Sequence, residues 1–136
     1  MTAKTSVIIP ARNEPYLIRT IQDVFGKANG PIQVIAVLEG YWPDKWDAVA
    51  DGYAGKLVTI HHGQPHGMRS SINQAVNISD GDFLLKTDAH CAFAKGFDEV
   101  LKEDCDNKTV MIPRRYRLEP EKWVRIRDGR ATVDYE

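Results

Sequence analysis

Residues 6–25 have the sequence SVIIPARNEPYLIRTIQDVF, and this stretch decides the fold class. Its first five residues, 6–10, are apolar on both faces of an extended chain, as in a central strand of a parallel sheet. Asn13 is then the expected N-cap of a helix. Five apolar side chains follow at helical spacing and form a single stripe: Leu17, Ile18, Ile21, Val24 and Phe25. A buried strand that leads into an amphipathic helix predicts a layered α/β protein.

The same alternation of strand and helix patterns continues along the chain. Further strands are predicted at four places: residues 32–40, 56–62, 83–87 and 109–113. The apolar face of the third predicted helix is formed by Met68, Ile72, Ala75 and Val76. We therefore expect an α/β domain with a doubly wound, mostly parallel sheet and helices on both faces.

The end of the chain has a different pattern. Residues 123–135 predict a β-hairpin that turns at Asp128 and Gly129 and pairs Val124 with Val133. Most of the arginines fall in this last quarter: Arg114, Arg115, Arg117, Arg125, Arg127 and Arg130. The arginine-rich face is expected to lie in solvent, and the alternative is that it meets an anionic ligand or acceptor.

The composition excludes several classes of function. The chain has 136 residues, the usual size of one domain, and a formal net charge of -1. That charge indicates neither nucleic acid nor an anionic membrane as a partner. No apolar run approaches the ~20 residues of a membrane-spanning helix, so no transmembrane segment is expected. Cys91 and Cys105 form neither a metal pair nor a disulfide framework, which favours a reducing, cytoplasmic location.

Polar side chains follow three of the predicted strands at the point where each strand ends. Asp88 and His90 come after residues 83–87, residues 11–14 follow the first strand, and Glu39 lies at the end of the second. Ligands of doubly wound sheets bind beyond these carboxyl ends. A carboxylate and an imidazole together suit a divalent ion such as Mn²⁺ or Mg²⁺. Taken alone, such a pair is more often an exposed aspartate and a structural histidine.

Further charged residues are expected at the same edge of the sheet. The carboxylates of Glu14 and Glu39 can accept hydrogen bonds from a ribose hydroxyl or a base N–H. The guanidinium of Arg69, at the start of the third helix, suits phosphate oxygens. Simpler roles are a first-turn acid for Glu14 and a surface ion pair for Arg69. Because all of these residues converge on one edge, a nucleotide site is the favoured interpretation.

Histidines and aromatic residues near the second and third strands have simpler interpretations. His61 and His62 are consecutive on a strand and should point to opposite faces, so they should not share a metal ion. Tyr41, Trp42 and Trp46 can stack on a base or a sugar. Packing of their loop onto the sheet is the favoured interpretation.

Two segments carry a resemblance to a known family. The stretches SVIIPARNEPYLIRTIQDVF and GMRSSINQAVNISDGDFLLKTDAHCAF resemble family 2-type glycosyltransferases with the GT-A fold. In that family a strand ends in Pro, Asn-Glu leads into the first helix, and a later strand leads into an Asp-x-Asp metal motif. The Asp-x-His form at Asp88 and His90, with a cysteine after it, is most similar to polypeptide N-acetylgalactosaminyltransferases. The resemblance covers about residues 5–101.

The resemblance implies a nucleotide-sugar donor, a UDP-sugar, and an acceptor of unknown identity. The positions that match nucleotide-binding residues of the family are Pro10, Ala11, Arg12, Glu14, Glu39, Arg69 and Asp88. Asp88 and His90 match the metal-binding motif and would serve catalysis by holding Mn²⁺ or Mg²⁺. On this basis residues 1–136 form a single minimal GT-A domain, with residues 1–113 as the nucleotide-sugar-binding part and residues 114–136 as the hairpin.

Several alternatives stay open. Complete GT-A enzymes are longer than this chain, so the sequence is a minimal enzyme, a fragment, or a nucleotide-sugar-binding module without independent catalysis. A homo-oligomer could complete the acceptor side. A nucleotidyltransferase is disfavoured because the segment PARNEP, residues 10–15, has no glycine for a phosphate-binding loop.

Overall fold

A computed structural model describes residues 3–113 and 115–126 of the chain. Strands and helices alternate along these residues. In chain order they are β1 (Thr5–Ala11), α1 (Leu17–Lys27), β2 (Ile32–Glu39), α2 (Trp46–Gly52), β3 (Leu57–His62), α3 (Met68–Ile78), β4 (Phe83–Lys86), α4 (Phe97–Glu103), β5 (Leu118–Glu119) and β6 (Val124–Arg125). The predicted alternation of strands and helices is therefore confirmed for the first four strands.

The main sheet has four parallel strands in the order β3-β2-β1-β4. Strand β1 is central, and Val7 lies between Val34 of β2 and Leu85 of β4. The chain adds β2 and β3 on one side of β1 and then returns to place β4 on the other side. This reversal is a topological switch point, and it brings the residues after β1 beside the residues after β4.

Helices cover both faces of this sheet, as predicted. Residues Val7 and Ile9 of β1 face the side on which Leu17, Ile21 and Val24 of α1 pack, together with α2 and α4. Ile8 points to the opposite side, where Ala75 of α3 packs against β2. Strands β1 and β2 are buried along their whole length, which explains why their sequences are apolar without alternation.

Helix α1 begins later than the sequence predicted. Its N-cap is Tyr16 rather than Asn13, and the Thr20 N–H donates to the Tyr16 carbonyl. Asn13 instead has a φ of 51°, in the left-handed region that asparagine tolerates better than most residues. Pro15 disfavours a helical conformation at the preceding Glu14. The chain therefore makes a bend between β1 and α1, and this bend carries Arg12 to Glu14.

Two other predictions about secondary structure were wrong. Residues 109–113 form no strand, and Val110 within them is 87% exposed. A strand needs a hydrogen-bonding neighbour, and within the described part of the chain β4 pairs with β1 alone. On α3, Ala75 is buried and Ile72 half-buried, whereas Met68 and Val76 are exposed because the helix meets the sheet over a narrower stripe.

A short antiparallel hairpin is present within residues 118–125, ahead of the predicted turn. Strand β5 pairs with β6 antiparallel, and Glu119 lies opposite Val124. The predicted turn at Asp128 and Gly129 lies outside the described residues, as do Arg114 and residues 127–136. The observed hairpin packs on α1 through Trp123. The centroids of the Trp123 and Tyr16 rings are 6.1 Å apart, and the Arg19 guanidinium lies over the Trp123 ring.

None of the helices in residues 3–113 and 115–126 combines the length and the apolar character that a membrane crossing requires.

Candidate functional site

The switch point of the sheet brings Glu14 and His90 into contact. Glu14 Oε2 lies 3.0 Å from His90 Nδ1, and Glu14 Oε1 accepts a hydrogen bond from the Tyr16 backbone N–H. The loop that carries His90 is held by Thr20 of α1, whose buried hydroxyl donates to the Ala89 carbonyl and accepts from the Cys91 N–H. The residues on both sides of His90 are thus hydrogen-bonded to Thr20. The imidazole itself stays more than half exposed.

Asp88 lies next to this pair and has a cationic environment. Lys86 Nζ donates to Asp88 Oδ1 over 2.7 Å, and both side chains are 40% exposed. This hydrogen bond is the main reason why the pKa of Asp88 lies below its ordinary value, and the charges of His90 and Arg115 act in the same direction. Burial of the carboxylate opposes the shift. Asp88 is therefore an anion that faces three basic groups.

The residues Asp88 and His90 fit a divalent metal ion in part. His90 uses Nδ1 for Glu14, which fixes the imidazole and leaves Nε2 for a ligand, as in many metal-binding histidines. The Asp88 carboxylate offers oxygen, although Lys86 competes for it. The described residues contain no group of three or more His, Cys, Asp or Glu side chains that could hold a metal ion. Two protein ligands suit a Mn²⁺ or Mg²⁺ ion that takes its other ligands from water and phosphate oxygens.

Glu39 occupies the carboxyl end of β2 and is buried. It accepts hydrogen bonds from the Ser71 hydroxyl, from the His66 N–H over 2.5 Å, and from His62 Nδ1 over 2.9 Å. Burial acts to raise the pKa of Glu39, but these hydrogen bonds and the His62 charge outweigh it and hold the pKa below its ordinary value. The carboxylate is ionised and its contacts are to protein groups.

The remaining predicted nucleotide-binding residues occupy two environments. Pro10 and Ala11 are buried in β1, so a nucleoside beside them would meet mainly their backbone. Arg12 is exposed in the bend after β1. Arg69 is exposed at the second position of α3 and forms no ion pair with the described residues. The structure therefore joins Glu14, Asp88 and His90 at one place, and it connects Arg69 with Glu39 through the start of α3.

The aromatic residues after β2 pack mainly as predicted. Trp46 is fully buried and its Nε1–H donates to Thr59 Oγ1 over 3.1 Å. Trp42 is 49% exposed and meets the His61 ring edge-on, whereas His62 contacts Glu39. The two histidines thus contact different elements and share no ligand position. Burial raises the pKa of Tyr41, and the Glu14 backbone opposes this shift.

Sequence reasoning missed the residues that hold the predicted ones in place. Lys86 precedes Asp88 by two positions, and the two-residue period of a strand was a usable signal that both side chains share a face. Ser71 and Thr20 gave no such signal, because their partners Glu39 and Ala89 are 32 and 69 positions away. Arg115 lies in the segment predicted as hairpin, yet its charge acts on Asp88.

The fold and the site together define a class of protein. A parallel sheet with a switch point beside its central strand is the doubly wound, GT-A-like α/β arrangement, in which ligands bind beyond the carboxyl ends of the strands.

The family follows from the sequence itself. Residues 6–133 match the family described as glycosyl transferase family 2, so the chain belongs to that family. No curated protein matches the sequence. The family 2 part of the resemblance is thereby confirmed, whereas the similarity to polypeptide N-acetylgalactosaminyltransferases finds no support in these matches.

Solved structures support the fold. S. aureus TarS superposes with a TM-score of 0.58 at 22% identity over 71% of this chain, which corresponds to 18% of that chain. A second structure, S. aureus TarS 1-349, gives a TM-score of 0.57 at 24% identity and covers 74% of this chain and 30% of that one. The chain therefore spans less than a third of the length of either structure.

Proposed function

We propose that this chain binds a nucleotide-sugar donor, a UDP-sugar, and takes part in metal-dependent transfer of the sugar to an acceptor. The observation that carries this proposal is the contact between Glu14 and His90 at the switch point, with Asp88 beside it. Membership of glycosyl transferase family 2 over residues 6–133 supports it.

The residues of the site have distinct roles in this proposal. Asp88 and His90 would hold Mn²⁺ or Mg²⁺, which supplies positive charge to the donor diphosphate when it is bound. Glu14 orients the His90 imidazole through Nδ1. Lys86 and Arg115 lower the cost of keeping Asp88 ionised. The backbone of Pro10 and Ala11 and the side chain of Arg12 border the nucleoside, and Arg69 contacts phosphate oxygens.

The chemistry follows from where charge develops. Breaking the bond between sugar and diphosphate places negative charge on the leaving phosphate, and cationic groups at that position stabilise the transition state more than the ground state. Holding donor and acceptor in a reactive arrangement can remove roughly 7–11 kcal/mol from the barrier. Arg69 and the positive charges around Asp88 would stabilise the negative charge on the leaving phosphate.

The alternative is a nucleotide-sugar-binding module or a partial domain without independent catalysis. The match to glycosyl transferase family 2 favours a transferase domain over a binding module. Donor hydrolysis and sugar transfer assays distinguish the two, because a module binds UDP without turning over the UDP-sugar.

The test is a titration of UDP in the presence and absence of Mn²⁺, using the full chain and the variant Asp88→Ala. We expect Mn²⁺ to strengthen UDP binding to the unmodified chain and to have no such effect on Asp88→Ala. Asp104→Ala is the matched control, because Asp104 is an exposed aspartate at the end of α4. Equal Mn²⁺-dependent UDP affinity in Asp88→Ala and in the control would refute the assignment of Asp88.

A further inference from the structure

The end of β2 is covered by the loop between β3 and α3, residues 63–67. The Gly40 N–H donates to the His62 carbonyl over 2.8 Å, which fixes the start of this loop. Pro65 then packs directly on Gly40, where an added Cβ would lie 3.1 Å from Pro65 Cδ. Gly40 also has a φ of 73°, so two separate constraints favour glycine at this position.

The Glu39 carboxylate holds the same loop by hydrogen bonds. Its Oε2 accepts from the His66 N–H, and its Oε1 accepts from His62 and from Ser71 at the first turn of α3. Gln74 lies one turn further along α3, and its Oε1 is 2.7 Å from His62 Nε2. The buried carboxylate thus connects the end of β3, the loop and the start of α3 in one hydrogen-bonded cluster. We name it the Glu39 cluster, and it consists of Glu39, His62, His66 and Ser71.

This arrangement is poorly suited to reading a base. The Glu39 side chain is 6% exposed, and both of its oxygens already accept hydrogen bonds from protein groups. Three of the roughly four acceptor sites of the carboxylate are occupied, and a base N–H that displaced the Ser71 hydroxyl would leave this buried donor without a partner. Leaving such a donor unpaired removes most of the gain from the new bond.

The cluster is well suited to placing Arg69. Arg69 lies between His66 and Ser71 in the chain, and both of these residues are tied to Glu39. Helix α3 begins after Gly67, which has a φ of 92°, so the orientation of its first turn depends on the loop before it. Fixing the loop and the first turn at two points restricts the directions from which the Arg69 guanidinium can approach a phosphate.

We propose that Glu39 is a positioning residue: together with His62 and Ser71 it holds residues 63–67 closed over the end of β2 and thereby orients Arg69 toward the phosphates of a nucleoside diphosphate. This inference rests on the proposed function for its ligand. It reassigns Glu39 from the base contact that the family resemblance implies, and it assigns a role to His62 and Ser71.

The first experiment measures the loop without any nucleotide. Amide hydrogen exchange at His66 is followed by NMR in the full chain, in Ser71→Ala and in Ser70→Ala. Ser70 is the matched control, because it is the exposed neighbour of Ser71 on the same helix. We expect exchange at His66 to be roughly tenfold faster in Ser71→Ala and unchanged in Ser70→Ala, since one hydrogen bond to a charged group is lost. Equal exchange rates in the two variants would overturn the proposal.

The second experiment measures the link to Arg69. UDP and uridine affinities are determined for Ser71→Ala, Arg69→Ala and the double variant. Positioning predicts that Ser71→Ala weakens UDP binding severalfold, affects uridine less, and has no further effect once Arg69 is alanine. A Ser71→Ala loss that is equal for UDP and uridine, or that persists in the Arg69→Ala background, contradicts this role.

The third experiment separates positioning from base reading. The variant Glu39→Gln is compared for UDP and CDP, whose bases present different hydrogen-bonding groups. Positioning predicts that both affinities fall together, whereas a base contact predicts a changed ratio between them. If the unmodified chain binds no nucleotide, the proposed function fails and the placement of Arg69 fails with it. The His66 exchange rates then still decide whether the Glu39 cluster holds the loop.

Discussion

His90 Nδ1 and Glu14 Oε2 lie 3.0 Å apart although the two residues are separated by 76 positions in the chain. The contact exists because β1 and β4 are neighbours in the sheet and both chains leave it at the same edge. Through this contact Glu14, which the sequence had placed beside the nucleoside, orients His90 of the predicted metal pair. Glu14 therefore acts on the site through His90.

The variant Glu14→Gln tests this relationship. A glutamine keeps the size of the side chain but removes the charge that orients the imidazole. Loss of such a supporting carboxylate reduces metal affinity by roughly 10–100-fold in metal sites generally, and we expect the Mn²⁺ dependence of UDP binding to weaken within that range. The measurement is a Mn²⁺ titration at fixed UDP, with Glu103→Gln, an exposed residue of α4, as the control. A Mn²⁺ midpoint identical to that of the control would contradict the orienting role.

The variant Arg69→Ala tests the phosphate contact directly. Arg69 is exposed at the start of α3, and a guanidinium there gains most from a ligand with phosphate oxygens. We expect Arg69→Ala to weaken UDP binding more than uridine binding, by roughly tenfold if one charge-assisted hydrogen bond is lost. Calorimetric titrations of both ligands check this result. Losses of the same size for UDP and uridine would place Arg69 away from the phosphates.

Gly81→Ala is predicted to destabilise the fold. An added Cβ at Gly81 would lie 2.6 Å from both the backbone nitrogen and the hydroxyl of Ser6, at the point where the chain enters β4. The backbone there is also fixed, because the Gly81 N–H donates to Ser6 Oγ, which in turn donates to Gln33 Oε1. Overpacking of this kind costs about 1–3 kcal/mol of unfolding free energy, which a urea titration measures.

The control for this substitution is Gly26→Ala. A Cβ at Gly26 meets nothing within 4 Å, and the residue lies inside α1. Alanine is a better helix former than glycine by up to about 1 kcal/mol, so Gly26→Ala should leave stability unchanged or raise it. Similar urea midpoints for Gly81→Ala and Gly26→Ala would show that the protein accommodates the added Cβ beside Ser6 without losing unfolding free energy.

Asp98 gives the protein a predicted sensitivity to acid. Burial alone would raise its pKa, but the N–H groups of Asn29, Gly30 and Glu99 and the Lys102 charge hold the pKa below the ordinary value of 3.8. A carboxyl group whose folded pKa is lowered stabilises the fold above its unfolded pKa, and this contribution is lost as the pH falls through the folded value. We therefore expect the unfolding free energy to decrease below about pH 3.8 through this residue.

The measurement is a series of urea titrations at decreasing pH for the full chain and for Asp98→Asn. The amide of the variant cannot ionise, so its unfolding free energy should be lower at neutral pH and should fall less on acidification. Asp104→Asn, at the exposed end of the same helix, should behave like the full chain. The same pH slope in Asp98→Asn as in the full chain would show that Asp98 is not the group responsible.

Much of the sheet could be predicted from the sequence for a local reason. The apolar runs at β1 and β2 and the helical stripe of α1 are patterns of successive residues, and each pattern determines which backbone conformation buries its side chains. The same reasoning failed at residues 109–113, which are apolar but have no neighbouring strand among the described residues. An apolar run favours burial, but only a partner in space makes it a strand.

The candidate site was predictable in its location and only partly in its contacts. The rule that ligands bind beyond the carboxyl ends of parallel strands placed Glu14, Glu39 and Asp88 correctly at strand ends. It gave no information about which group each carboxylate binds. Lys86 for Asp88, His90 for Glu14, and Ser71 with His62 for Glu39 are pairings that the structure supplies.

The sequence by itself determined the order of the first four strands, the apolar character of β1, β2 and α1, and the family to which this chain belongs. These properties depend on side chains that are close together along the chain, where periodicity and steric preference act directly. Only the tertiary structure decided that Glu39 binds the loop above it and that Glu14 supports His90. Those contacts join residues 27 to 76 positions apart, so their partners are chosen by the packing of the sheet and its helices rather than by any local pattern.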